Sequence, residues 1–241
     1  APTRILPVAK PKSSAKTSVS KVPPKTTVQA TVTEEGESEA APIANWKVRF
    51  YLGAVCFLSW GAVMVIEICA YRLLAPFFGN SVYTWTALIG VVLIASSAGG
   101  YLGGWLADRR LAQDMIGWLL AGAAVLVFFI PMLHGVLSPR LATGRLIAGP
   151  VFTSLLLLAV PGILLGAVSP AAIRFYSLTM RDTPVGASAG TISMLGSLGS
   201  FGGTFLAGFV LLANFGVRSI FFGAGVLLTV LAAAGFLPAR N

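Results

Sequence analysis

Glu67-Ile-Cys-Ala-Tyr-Arg72-Leu-Leu-Ala-Pro76 decides how this chain is read. The segment closes the first of several long apolar runs and sets an acid deep inside it. Arg49 lies 18 positions before Glu67, and at ~1.5 Å of rise per helical residue this carries the carboxyl most of the way across a ~30 Å hydrocarbon core. An ionisable group at that depth costs about 2.5–3.5 kcal/mol on insertion scales, so Glu67 is expected to face a protein interior or a wet cavity and to have a partner. Arg72 is the nearest basic residue, but five positions is poor spacing for two side chains to meet on a helix. Arg72 is therefore expected to snorkel to the far interface, leaving Glu67 to find its partner on another helix. Two roles are open to the acid. It can be a neutral, hydrogen-bonded group that joins helices, or a substrate or proton site.

Composition agrees with a bilayer as the solvent. Of 241 residues 56% are hydrophobic and 10% charged, and the mean hydropathy is +0.85, whereas a soluble domain carries about 25% charged residues. The net charge of +9 is uneven. Residues 1–45 hold Arg4, Lys10, Lys12, Lys16, Lys21 and Lys25 against Glu34, Glu35, Glu37 and Glu39, amid Pro, Ser, Thr and Ala. Such a segment buries too little apolar surface to offset its ordering entropy, so it reads as an irregular low-complexity tail. It has no apolar core of a signal peptide. A lysine-rich tail beside a bilayer is attracted to anionic headgroups or helps to set orientation. No aromatic residue is interleaved with its lysines, which argues against a nucleic acid partner. The tail is expected to be bound by another membrane protein subunit.

Six apolar runs follow, at about 48–74, 82–107, 114–137, 146–168, 186–213 and 217–237, each meeting the ~20-residue spanning length. The fold class expected is an all-α integral membrane protein: a six-helix transmembrane bundle over residues 46–241, with both ends inside. Orientation rests on the basic residues. Lys47, Arg49, Arg109, Arg110, Arg174, Arg181 and Arg240 fall on one side and Arg72, Arg140, Arg145 and Arg218 on the other, seven against four. The turn Asp108-Arg109-Arg110, with Arg174, marks the inner surface, and the membrane expected is a bacterial inner membrane. Pro161 is expected to kink the fourth run, and Pro170 to end it, which lays residues 171–178 in the interface.

In lipid no hydrophobic drive pulls helices together, so close contact between small residues must hold the bundle. Ser96, Gly100, Gly103 and Ala107 share one face of the second run, and Gly162 and Gly166 offer a second face on the fourth. In the fifth run Ala189, Ser193, Gly196, Ser200, Gly203 and Ala207 step by 4, 3, 4, 3 and 4, which predicts a central helix or one at a subunit interface. Cys56 and Cys69 lie on different faces of one helix and cannot bridge each other. No Cys/His cluster has metal spacing, and no cofactor is expected. His134, the lone histidine, reads as an interfacial polar residue, with haem or chlorophyll ligation as the alternative.

Three blocks form a continuous pattern: Glu67 with Arg72-Leu-Leu-Ala-Pro-Phe-Phe-Gly79-Asn-Ser-Val-Tyr-Thr-Trp85, then Ile89-Gly-Val-Val-Leu93, then Gly103-Gly-Trp-Leu-Ala-Asp-Arg109. Leu164-Leu-Gly-Ala-Val-Ser-Pro170-Ala-Ala-Ile-Arg174 and Val185-Gly-Ala-Ser-Ala-Gly190 through Gly203-Thr-Phe-Leu-Ala-Gly208 extend it over about residues 48–237. The whole resembles the membrane domain of the spermidine-synthase-like proteins, the fused transporter-like/spermidine synthases. The resemblance implies an aminopropyltransferase domain after the helices. The residues here have no βαβ unit, and the aspartates Asp108, Asp114 and Asp182 are not clustered, so no catalytic residue carries over. The Gly-Gly-Trp-Leu-Ala-Asp-Arg turn is also similar to a loop of the major facilitator transporters. Three functions follow in order: a non-catalytic subunit of a larger membrane complex, half of a dimeric transporter for a small cationic solute, and a membrane anchor for an aminopropyltransferase.

Overall fold

The computed structural model describes residues 42–109, 112–142, 147–179 and 184–236. Residues 1–41 of the expected tail, Arg110, Arg145, Arg181, Asp182 and Arg240 lie outside these residues. Every regular element described is helical, and six helices are long and apolar enough to cross a membrane. Span 1 is Val48–Phe78, span 2 Val82–Ala107, span 3 Asp114–Leu141, span 4 Ala148–Leu178, span 5 Val185–Asn214 and span 6 Val217–Phe236. The protein is an integral membrane helix bundle.

The first helix starts at Pro42, inside the stretch read as tail. Proline suits a first turn, where the missing N–H would have had no helical partner. It runs past Pro76 to Phe78, because a proline near a C-terminus removes little of the remaining ladder. Span 3 likewise continues through Pro131 and Pro139 to Leu141. Gly79, at φ +77°, then closes span 1 in the left-handed region. Only residues 79–81 separate it from span 2. Ser81 caps span 2 by accepting from the Thr84 N–H at 3.3 Å, and the buried Thr84 hydroxyl donates back to the Gly79 carbonyl at 3.2 Å.

Span 4 corrects the reading of Pro170. The helix passes through Pro161 and is interrupted at Ala167, between Ala148–Gly166 and Val168–Thr179. Pro170 does not end the span. It has no N–H for the Gly166 carbonyl, and its ring crowds that carbonyl, so the fault appears one turn upstream. Residues 171–178 continue as helix, with Ala171 and Ala172 fully buried against the bundle and Tyr176 nearly so. The Trp60 indole N–H donates to the Ser169 hydroxyl at 2.7 Å, which ties the break to span 1.

Span 1 is the hub: it touches every other span. Span 5, expected to be central or to carry a subunit interface, is not central and packs chiefly on span 1. Its most apolar window is 22% buried, against 56% for span 1. Two glycine seams set the closest approaches. On span 2, Ala95, Gly99, Gly103 and Ala107 are buried. A Cβ at Gly99 would collide with the Ile163 backbone, and one at Gly103 would lie 2.6 Å from the Cα of Ala167. Ser96 takes part through its backbone, opposite Gly166, and Gly162 faces Ala95. Gly100 does not belong to this seam, since a side chain there would meet nothing within 4 Å.

On span 5 the buried line is Ser188, Ile192, Gly196, Gly199, Gly203 and Ala207. Gly196 lies under Trp60, Gly199 against the Phe57 backbone and Gly203 against Gly61. Ser193 is exposed, and Ala189 and Ser200 are half-buried. Both seams therefore run one residue away from part of the expected stripes. The contact follows whichever i+4 ridge the crossing geometry presents.

Gly99→Val should lower thermal stability in detergent by roughly 1–3 kcal/mol, the usual cost of overpacking. Gly100→Val, one position along, should change it by less than about 0.5 kcal/mol. Equal losses from the two variants would show that the seam has been placed on the wrong residue.

Candidate functional site

Glu67 sits where spans 1, 2 and 4 meet, 9% exposed. It borders a cavity of about 20 Å³ whose other walls are Val63, Ile66, Val92, Leu158, Pro161, Gly162 and Leu165. That is room for about one water molecule. The acid thus faces the protein interior, and a neighbour lacking a polar side chain surrounds it on each helix. Pro161 has no N–H, so the Leu157 carbonyl one turn earlier lacks its i+4 donor and is an acceptor in this part of span 4. The nearest basic residue in sequence does not pair with it: Arg72 is exposed at the end of span 1, and the ion pair recorded joins other residues.

Further polar groups lie in spans 3 and 4. The Thr153 and Ser154 hydroxyls are buried without a hydrogen-bond partner among the described residues. His134 is 6% exposed, packed within the bundle. Its Nδ1 is 2.6 Å from the Ser138 hydroxyl, and Phe77 meets the ring edge-on at 5.2 Å. An imidazole held between a hydroxyl and an aromatic ring is a packed, satisfied group. Cys56 and Cys69 are free and fully buried in span 1.

The charged turn is built at the ends of spans 2 and 4. Asp108 caps span 2, and its Oδ1 is 3.5 Å from Nε of Arg174. Arg109 stacks over Trp105 at 3.9 Å. Arg110 falls outside the described residues. The Asp108 and Arg174 side chains are 72% and 46% exposed, so the pair marks a membrane surface more than it stabilises the fold. At the opposite ends of spans 1 and 2, Tyr71 and Trp85 stack with ring centroids 4.2 Å apart.

Sequence reasoning passed over Trp60 with Ser169, and Gly99 with Gly199. Tryptophan inside a span and glycine one step off a regular stripe were the available signals. Comparison of the chain with protein families, curated proteins and solved structures finds no match.

Glu67→Gln, neutral and of equal size, should change thermal stability by less than about 1 kcal/mol. Glu67→Lys, cationic and longer, should cost about 2.5–3.5 kcal/mol or prevent folding. A large loss from the glutamine variant would mean that the carboxyl works in its ionised form. Asp108→Asn should shift stability by no more than about 1 kcal/mol.

Proposed function

We propose that this chain is a non-catalytic membrane subunit that works by being gripped by neighbouring proteins, in a bacterial inner membrane. One observation carries the reading: span 5 holds two lines of small residues and packs only one of them inside the bundle. The second line is Gly190, Ser193, Ser197, Ser200, Thr204 and Gly208, exposed except for half-buried Ser200. A Cβ at Gly190 or Gly208 would meet nothing within 4 Å. The Thr204 hydroxyl is turned back on the helix, donating to the Ser200 carbonyl at 2.8 Å, which keeps the surface low there. Lipid chains gain little from such a groove, whereas a second helix can approach it closely. Phe201, Phe205 and Phe209 form a rigid ladder beside it, with successive centroids 4.7 and 5.6 Å apart.

The resemblance to the membrane domain of spermidine-synthase-like proteins is compatible with this reading, because such a domain also serves what is attached to it. Glu67 favours a second reading, half of a dimeric transporter for a small cationic solute. A carboxyl inside the membrane is the natural ligand for a cation once a path opens beside it. The first reading ranks higher because the space at Glu67 holds one water, whereas the span 5 face runs nearly the length of the helix. An anchor for a separate aminopropyltransferase is a special case of the first reading, with the enzyme as partner.

Purification in a mild detergent should yield the chain together with another membrane protein. Ser197→Leu and Gly208→Leu should each reduce that co-purification at least tenfold while leaving thermal stability unchanged. Recovery of monomer alone, or full retention of the partner by both variants, would overturn the proposal.

A further inference from the structure

Glu67 is nearer to one surface than to the other. Within span 1 it lies 11 positions before Phe78 and 19 after Val48, roughly 16 and 28 Å at 1.5 Å of rise per residue. None of the other walls of its small cavity is ionisable, and span 4 supplies Leu158, Pro161, Gly162 and Leu165. These share one stripe of the helix, and Ser154 comes one turn earlier on the same stripe. Thr153 is next to it, five positions after Ala148, where that helix starts. The start of the helix meets the end of span 1, since a Cβ at Gly149 would press on the Phe78 ring. Polar side chains are therefore set at short steps between Glu67 and the surface at Gly79.

The hydroxyls on this route differ from others in the bundle. A serine or threonine inside a helix can bond the carbonyl one turn back. Thr191, Thr204 and Thr229 do so at 2.9, 2.8 and 2.8 Å. Thr153 and Ser154 are fully buried, yet neither hydroxyl has a partner among the described residues. Buried polar groups are rarely left unbonded, and where no protein group serves, the usual partner is a buried water. On the far side of Glu67 the hydroxyls are engaged. Ser169, one turn beyond Leu165, accepts from the Trp60 indole at 2.7 Å, and Ser59 donates to the Cys56 carbonyl at 3.4 Å.

We propose that Glu67 exchanges its proton with the aqueous phase on the Gly79 side alone, through a water in its cavity and the hydroxyls of Ser154 and Thr153. One helical turn of ~5.4 Å is the reach of a single bridging water with two hydrogen bonds of ~2.8 Å. A hydroxyl donates one hydrogen bond while it accepts others, so it can pass a proton along. The carboxyl gives its proton to the water as the water returns another to the second carboxyl oxygen. Each group is neutral before and after, which suits a place where charge is costly. Glu67 thus has a wet side without a path wide enough for a solute, independently of any protein bound at span 5.

Infrared spectroscopy of the purified full chain at neutral pH tests this. A protonated-carboxyl C=O band should be present, should be missing from Glu67→Gln, and should shift on transfer to D2O. Ser154→Ala should slow that shift at least tenfold, and adding Thr153→Val should slow it further. Thr153→Ser, which keeps its hydroxyl, should exchange like the unaltered protein. So should Ser169→Ala, on the far side. Exchange at the unaltered rate in the folded Ser154→Ala, Thr153→Val double variant would overturn the proposal. So would equal slowing by Ser169→Ala, or an unaltered protein with no band that depends on Glu67.

Discussion

Backbone-to-backbone approach at glycine holds this bundle together. Where Gly99 and Gly103 cross span 4, and Gly199 and Gly203 cross span 1, one helix rests on the main chain of the other. A bilayer supplies no hydrophobic force between helices, so dispersion across those crossings is the main attraction available. Dispersion falls steeply with separation, which is why an added methyl group matters at four positions and is harmless at their neighbours. The other features follow from these crossings. Span 1 can serve as hub because span 5 comes so close to it, and Trp60 can reach Ser169 because the break in span 4 is held near span 1.

Much of the architecture was legible in the residues. Six apolar runs give six spans, and span 2 ends where its composition says it should, because Asp108 and Arg109 cannot remain in hydrocarbon. What the sequence hid was tertiary. A small residue is compatible with a close crossing, but which of Gly99 and Gly100 is used depends on the angle at which span 4 passes. Span 5 looks central because it is rich in glycine and serine, yet those residues serve two faces, and only one of them is filled. Pro170 was misread because a proline acts on the carbonyl one turn before it. Continuation of the helix beyond the fault depended on packing that no local pattern reveals.

The polar interior is economical. Glu67, His134, Ser138, Thr153 and Ser154 are buried, and the hydrogen bond recorded among them joins His134 and Ser138. The position of Glu67 was legible from its distance to Arg49. Its surroundings were not, because they come from spans 2 and 4, far away in the chain. A lone acid in a space fit for one water is compatible with quiet structural service, and its sensitivity lies in charge more than in size.

The three-residue turn at Gly79 has a consequence for biogenesis. Spans 1 and 2 are joined by residues 79–81 alone, with Thr84 and Ser81 closing the turn, so the two can cross a bilayer only as an antiparallel hairpin. The hairpin sets Val92 of span 2 beside Glu67, so the acid is covered on that side only once both spans are in the lipid.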